Sequence, residues 1–116
     1  MQREYRVVIT EPVQKWIDNL LKYSYSLDVS EISRIEKDLL NIYDAIFSLE
    51  TYPYRIKKAD EKYVDSEVRR IWTDKYFIYF KIYENENVVA IVAITAMKGD
   101  QISQLKSFNE VSAMIE

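Results

Sequence analysis

The period of the apolar positions changes along the chain, and each change marks an element. Residues 5–10, YRVVIT, are short and β-branched and predict a first strand. Thr10 is placed to act as N-cap of a following helix, with Glu11 near its positive end and Pro12 in its first turn. Val13, Trp16, Ile17, Leu20 and Leu21 keep the three- and four-residue spacing of that helix, which frays near Tyr23-Ser24-Tyr25-Ser26. A second helix carries the strongest periodicity: Ile32, Ile35, Leu39, Ile42, Ile46 and Leu49. Asp28 or Ser30 can cap it, and Asp28 with Glu31 has capping-box spacing. Its other face holds Arg34, Glu36, Lys37, Asp38 and Asp44. The two helices form an αα-hairpin, ended at Thr51-Tyr52-Pro53 because the residue before proline disfavours helix.

Residues 54–66 form a polar connection with little periodicity. Three strands follow, at residues 67–73, 76–84 and 88 to about 97, joined by Asp74-Lys75 and by Glu84-Asn85-Glu86-Asn87. In the second turn asparagine replaces glycine as the residue that tolerates positive φ. The last strand is apolar on both parities (Val88, Val89, Ile91, Val92, Ile94), the pattern of a central strand covered on both faces, or of one with a face covered by a partner. Gly99, the only glycine, breaks it, and Ile102, Leu105, Phe108, Val111 and Ile115 predict a C-terminal amphipathic helix. The order β-α-α-β-β-β-α predicts an α+β fold: an N-terminal strand, the αα-hairpin, a three-stranded antiparallel meander and a C-terminal helix. Residues 1–116 read as a single domain.

Composition narrows the chemistry. The 116 residues hold no cysteine and no histidine. Disulfides and thiolate metal sites are excluded, and any catalysis rests on Arg, Lys, Tyr, Asp or Glu. No metal or cofactor is expected. No apolar run approaches the roughly 20 residues of a membrane span. The N-terminal apolar run is too short for a secretory signal, so a soluble cytoplasmic protein is expected. Net charge is −3, yet residues 55–81 hold eight Lys or Arg against five Asp or Glu, a local excess of +3.

The candidate residues lie in and beside that basic segment. Alternation along the strand puts Arg69 and Arg70 on opposite faces. Either guanidinium could grip a phosphate or a partner's carboxylate through its planar fork, or form a salt bridge with Glu67, Asp65 or Asp74. The chain has ten tyrosines. Of these, Tyr63 and Tyr76 have basic neighbours in sequence and could stack bases; aromatic residues on a sheet otherwise serve as core and rim packing. Lys98, at the end of the last strand, could stabilise developing phosphate charge or be a solvated strand end. No Gly-rich phosphate loop, metal cluster or nucleophile elbow is present.

VRRIW, TDK, YFIYFKI, YENEN and VVAIVAI, in that order after YRVVIT and SLETYP, resemble the RelE/ParE superfamily, the toxins of bacterial type II toxin–antitoxin modules. The resemblance runs from about residue 5 to 105. It implies two N-terminal helices on a small antiparallel sheet, and a cognate antitoxin that wraps the sheet or displaces the C-terminal helix. It also offers two activities. RelE-like members are ribosome-dependent mRNA endoribonucleases (mRNA interferases) that need no metal. ParE-like members inhibit DNA gyrase by binding.

Carried over residue by residue, Arg70 matches the basic residue of the RelE-type strand, and Arg69 the arginine common in ParE-like members. Lys98 matches the basic residue ending the last strand. A RelE-like catalytic set would be Arg70, Lys98 and Tyr76. Phe77 stands where an arginine would follow Tyr76, and GDQISQLK after Lys98 holds neither tyrosine nor histidine. The resemblance therefore favours a gyrase inhibitor whose contacts are Arg69, Arg70, Trp72, Tyr76 and Tyr63. An mRNA interferase with a reduced active site and a non-toxic interaction module on the same fold are the alternatives. Val89, Ile91, Ile102, Leu105 and Phe108 are expected to meet the antitoxin, and a homodimer is compatible with the reading. Truncation at Gly99 is expected to lower solubility by baring apolar sheet; a truncated chain that stays monomeric and equally stable would show the segment to be idle.

Overall fold

A computed structural model describes residues 4–59 and 64–111. The chain runs through β1 (Arg6–Ile9), α1 (Glu11–Ser24), α2 (Val29–Phe47) and two single 3₁₀ turns (Ser48–Glu50 and Pro53–Arg55). It continues through β2 (Arg69–Trp72), β3 (Tyr76–Tyr83), a 3₁₀ turn (Glu84–Glu86), β4 (Val88–Ala96) and α3 (Gln101–Leu105). The strands form one sheet in the order β1-β4-β3-β2. β2, β3 and β4 make the expected antiparallel meander. β1 joins it parallel to β4, with Val7 beside Val89 and Ile9 beside Ile91.

The position of β4 accounts for its composition. With β1 on one side and β3 on the other it is an interior strand, and Val89, Ile91, Ala93, Ile94 and Thr95 are fully buried. Tyr79 pairs with Ala93 and Phe80 with Ile91, which leaves Val92 as an extra residue in a bulge. The bulge shifts the alternation by one, so Ile91 and Ile94 both face the side of Phe80 and Ile78. The turn into β4 uses Asn87 at φ +54, as the asparagine-rich sequence predicts. The Asn87 carbonyl then accepts the Arg6 N–H at 2.8 Å, so the hairpin turn also begins the pairing of β1.

The helix ends follow local chemistry, with one departure. Asp28 caps α2, accepting the Glu31 N–H at 3.1 Å and the Ser30 hydroxyl at 2.8 Å. The Ser30 bond and then the Glu31 N–H hold its carboxyl below the ordinary range. Thr10 occupies the N-cap position of α1 without capping it. Its hydroxyl donates instead to the Ile91 carbonyl at 2.6 Å, fastening the end of β1 to β4. Val13 and Ile17 of α1 and Ile35, Leu39, Ile42 and Ile46 of α2 enter the core, as does Leu49 from the following turn.

The bend at Pro53 departs from the extended conformation expected before proline. Tyr52 is left-handed, at φ +46, an uncommon conformation for a bulky residue. The Arg55 guanidinium braces it by donating to the carbonyls of Thr51 and Tyr52 (2.8 and 3.1 Å) and to the Ser48 hydroxyl at 3.0 Å.

The C-terminal helix is shorter than the periodicity predicts. α3 stops at Leu105 and the chain turns, with the Phe108 N–H returning to Leu105 at 2.9 Å. Ser107 and Asn109 are poor helix formers, and consecutive turns keep the three-residue spacing without a continuous helix. Leu105, Phe108 and Val111 are buried, Ile102 is 40% exposed, and Ile115 lies outside the described residues. Gln101 and Gln104 close the edge of β4 where β1 has ended. The Gln104 side chain accepts the Ala96 N–H at 2.7 Å, and Gln101 donates to the carbonyls of Ala96 and Met97 at 2.9 and 3.0 Å. Side-chain amides thus replace a missing strand.

This division of the segment is measurable. Phe108→Ala and Leu105→Ala should each lower the unfolding free energy by about 2–5 kcal/mol in urea titrations, and Ile102→Ala by less than about 1 kcal/mol. Equal effects at all three positions would contradict the arrangement.

Candidate functional site

Cross-strand partners share a face, so the register sorts every side chain of the meander. Arg69 pairs with Phe80 and Ile71 with Ile78, which puts them with Tyr76 and Ile82 on one face. The helices cover that face: Trp16 of α1 meets Tyr76 edge-on at 5.3 Å, and Asp38 of α2 reaches Lys75 at 3.1 Å. Arg70 pairs with Tyr79 and Trp72 with Phe77, placing them on the outer face together with Lys81 and Tyr83.

The expected catalytic set is therefore divided. Arg70 lies on the outer face, and Tyr76 lies on the helix face, half-buried against Trp16. Burial, then the charge of Asp38, pushes the Tyr76 phenol above its ordinary pKa. Lys98 is exposed beyond β4, and the bond from the Met97 N–H to the Lys75 carbonyl at 2.8 Å places it beside the β2–β3 turn. Arg70 is level with Ala93, about 10 Å along the strand from the end of β4 and two strand spacings, about 10 Å, across the sheet. One phosphate cannot be held by all three. Arg69 is also set apart from Arg70: its guanidinium lies 5.0 Å from the Tyr54 ring centre and donates to the Ile56 carbonyl at 2.6 Å. Tyr63 lies outside the described residues. Val89 and Ile91, expected at the antitoxin interface, are fully buried on the helix face and belong to the core; Leu105 and Phe108 are buried as well.

What the outer face does bring together is Arg70, Phe77 and Trp72. The Arg70 guanidinium stacks on Phe77 at 4.2 Å, and Trp72, across from Phe77, is 63% exposed. Stacking on a ring holds a guanidinium flat. Beside them is a groove of about 340 Å³ lined by Arg55, Ile56, Lys57, Arg70, Ile71 and Trp72. A cation, an exposed indole and an apolar floor can bind a partner's side chains. They contain no acid–base pair in position to move a proton.

Two further clusters were not singled out from the sequence. On the outer face Lys81 holds Asp65 at 3.2 Å and Glu110 at 3.8 Å, and the Tyr83 hydroxyl donates to Glu110 at 3.3 Å. The Glu67 N–H and then Lys81 lower the Asp65 pKa. Burial, followed by the Glu110 charge, raises that of Tyr83. The cluster binds the loop before β2 and the C-terminal segment to the sheet. A lone lysine within the aromatic run YFIYFKIY was the signal available. On the helix face Glu84 accepts hydrogen bonds from the Tyr54 and Tyr5 hydroxyls, the latter at 2.9 Å. Those residues are 30 and 79 positions away from Glu84, and no local pattern connects them.

The Glu84 hydrogen bond is the main cause that pushes the Tyr54 phenol up to about 12, with burial second. An acid whose pKa is raised by folding favours the fold in its neutral form. That contribution is complete below the ordinary value of 10.0 and is lost as pH rises toward about 12. In an absorbance titration of the phenolates Tyr54 should ionise late, and Glu84→Ala should return it toward its ordinary value. A titration curve unaffected by Glu84→Ala would contradict the contact.

No helix among the described residues is long and apolar enough to cross a membrane. Among the described residues no group of three or more Asp and Glu could hold a metal ion. No protein-family model matches the chain, and no curated protein does so. Among solved structures it is similar to a chain of the toxin–antitoxin complex RelBE2 from Mycobacterium tuberculosis, with a TM-score of 0.54 and 15% identity, over 83% of this chain and 94% of that chain. At that identity the likeness is one of architecture. With the β1-α1-α2-β2-β3-β4 order and the meander register described above, it gives this chain a RelE/ParE-like α+β fold.

Proposed function

We propose that the chain is the toxin of a type II toxin–antitoxin module and acts by binding its target, DNA gyrase, rather than by cutting RNA. The supporting observation is the separation of Arg70 from Tyr76 on opposite faces of the sheet, with Trp72 left exposed beside Arg70. A phosphoryl-transfer site needs its charge-stabilising and proton-moving groups around one reacting atom. A binding surface needs a flat cation and an exposed indole close together, and Trp and Arg are the residues that most often dominate such surfaces. The similarity to a chain from a toxin–antitoxin complex supports a cognate antitoxin as neutralising partner.

One observation favours the mRNA reading as second choice. Arg55, Lys57 and Arg70 border the same groove as Trp72, and cations beside an exposed ring suit a nucleotide strand. Codon-aligned cuts in primer extension on translated mRNA would establish that reading, and their absence would remove it.

A supercoiling assay tests the first. Excess protein should inhibit gyrase, and the double variant Arg70→Ala/Trp72→Ala should lose at least about tenfold in potency while keeping its fold. Undiminished supercoiling at excess wild-type protein overturns gyrase as the target.

A further inference from the structure

α2 carries two apolar stripes, and the core uses one of them. Ile35, Leu39, Ile42 and Ile46 are buried. About a quarter-turn further round the helix lie Leu40, Tyr43 and Phe47, spaced by three and four residues and therefore in one line. Leu40 is 64% exposed and Phe47 46%. Tyr43 is half-buried, and its ring stacks on that of Phe47 at 6.2 Å and 14°. Single apolar residues on a surface are ordinary, but three in line with two rings stacked form a patch.

α1 does not cover this stripe. Arg34 and Asp38 stand on the other flank of α2, where their charges act on Tyr76 and where Trp16 of α1 meets the same ring. Leu40, Tyr43 and Phe47 line the flank that the αα-hairpin leaves open.

The charges beside the stripe decide what fits it. Lys37 and Asp44 border it on the solvent side, and both are exposed. Neither side chain makes a hydrogen bond or an ion pair among the described residues. They stand about 10 Å apart along the axis, beyond the three- or four-residue spacing at which helical neighbours pair. A helix laid antiparallel on the stripe sets like flanks side by side. A second copy of α2 therefore offers Asp44 to Lys37 and Lys37 to Asp44. With a two-fold axis between Leu40 and Tyr43, Leu40 meets the partner copy's Tyr43, and Glu36 lies over its Phe47 with the carboxylate at the rim. A parallel pairing would set Lys37 level with Lys37 and Asp44 with Asp44.

We infer that two copies of this chain associate through the open flank of α2, antiparallel about that two-fold axis, with two reciprocal Lys37–Asp44 ion pairs. Such a contact requires a surface that complements itself, and this order of charges does so. Exposed ion pairs add little affinity; they fix direction and register, while the apolar stripe supplies the attraction. The inference is independent of the proposed target. Arg70 and Trp72 lie on the other face of the sheet, and the pairing does not cover them. A pair presents that surface twice, which raises avidity for a target with two equivalent sites.

Sedimentation equilibrium of the full chain tests the association. The wild type should self-associate as concentration rises. Leu40→Glu, at an exposed position, should weaken association at least about tenfold with an unchanged far-ultraviolet circular dichroism spectrum. Lys37→Glu and Asp44→Lys should each weaken it, because each sets like charges together. An equimolar mixture of these two variants should associate more tightly than either alone, since both ion pairs are then complementary. That recovery requires both variants to be folded, so a stability defect in either cannot imitate it. A chain that stays monomeric at the highest concentration reached, whether or not the stripe then takes up a helix of another protein, overturns the proposal. So does self-association that Leu40→Glu leaves unchanged, or a mixture no tighter than its components. The supercoiling assay is indifferent to all of these outcomes.

Discussion

An interior strand that is apolar on both faces must be covered on both, and β4 imposes that requirement on the molecule. One face is met by the αα-hairpin, whose long stripe from Ile35 to Ile46 joins the same core. The other is met by less regular material, since Lys81 of that face holds Asp65 of the loop before β2 and Glu110 of the C-terminal turns. Both flanks of the strand are also occupied, β3 along its whole length and β1 along the first half. Where β1 ends, Gln101 and Gln104 bond to the backbone directly. A segment with little secondary structure of its own is thereby as firmly committed to the core as the helices are.

The same sheet distributes the charged and aromatic groups. Alternation sends Arg69 inward, where the Tyr54 ring and the Ile56 carbonyl hold it, and sends Arg70 outward onto Phe77. Lys81 could not be left among buried neighbours without partners, and two carboxylates from distant parts of the chain meet it. These contacts explain why a chain with ten tyrosines and a local excess of positive charge does not concentrate them in one cleft. Tyr5, Tyr54, Tyr83, Arg69, Lys75 and Lys81 join separate segments of the fold, while Arg70 and Trp72 share the outer face at β2.

Much of this could be read from residues alone, for identifiable reasons. The helices show because Ile35, Leu39, Ile42 and Ile46 repeat without interruption, and the meander because its turns carry Asp74-Lys75 and Asn87. The interior place of β4 was legible in its loss of alternation. The parallel partnership of β1 was not, because four β-branched residues say nothing about which strand they join. Nor could the face of Tyr76 relative to Arg70 be read, since it depends on the register across the Thr73–Lys75 turn, where the Thr73 hydroxyl receives the N–H groups of Lys75 and Tyr76. The C-terminal periodicity runs beyond α3 because the turns after Leu105 reproduce helical spacing.

The union of β1 with β4 carries a consequence in time. Arg6 and Val88 stand side by side although they are 82 positions apart in sequence. Closing so long a loop is entropically costly, and contacts of high sequence separation delay folding. A nascent chain emerges with the αα-hairpin well ahead of the sheet it must cover. Until β4 is made, the apolar stripes of both helices and the whole of β1 lack their permanent partner. The last strand to be synthesised is the one that admits the first.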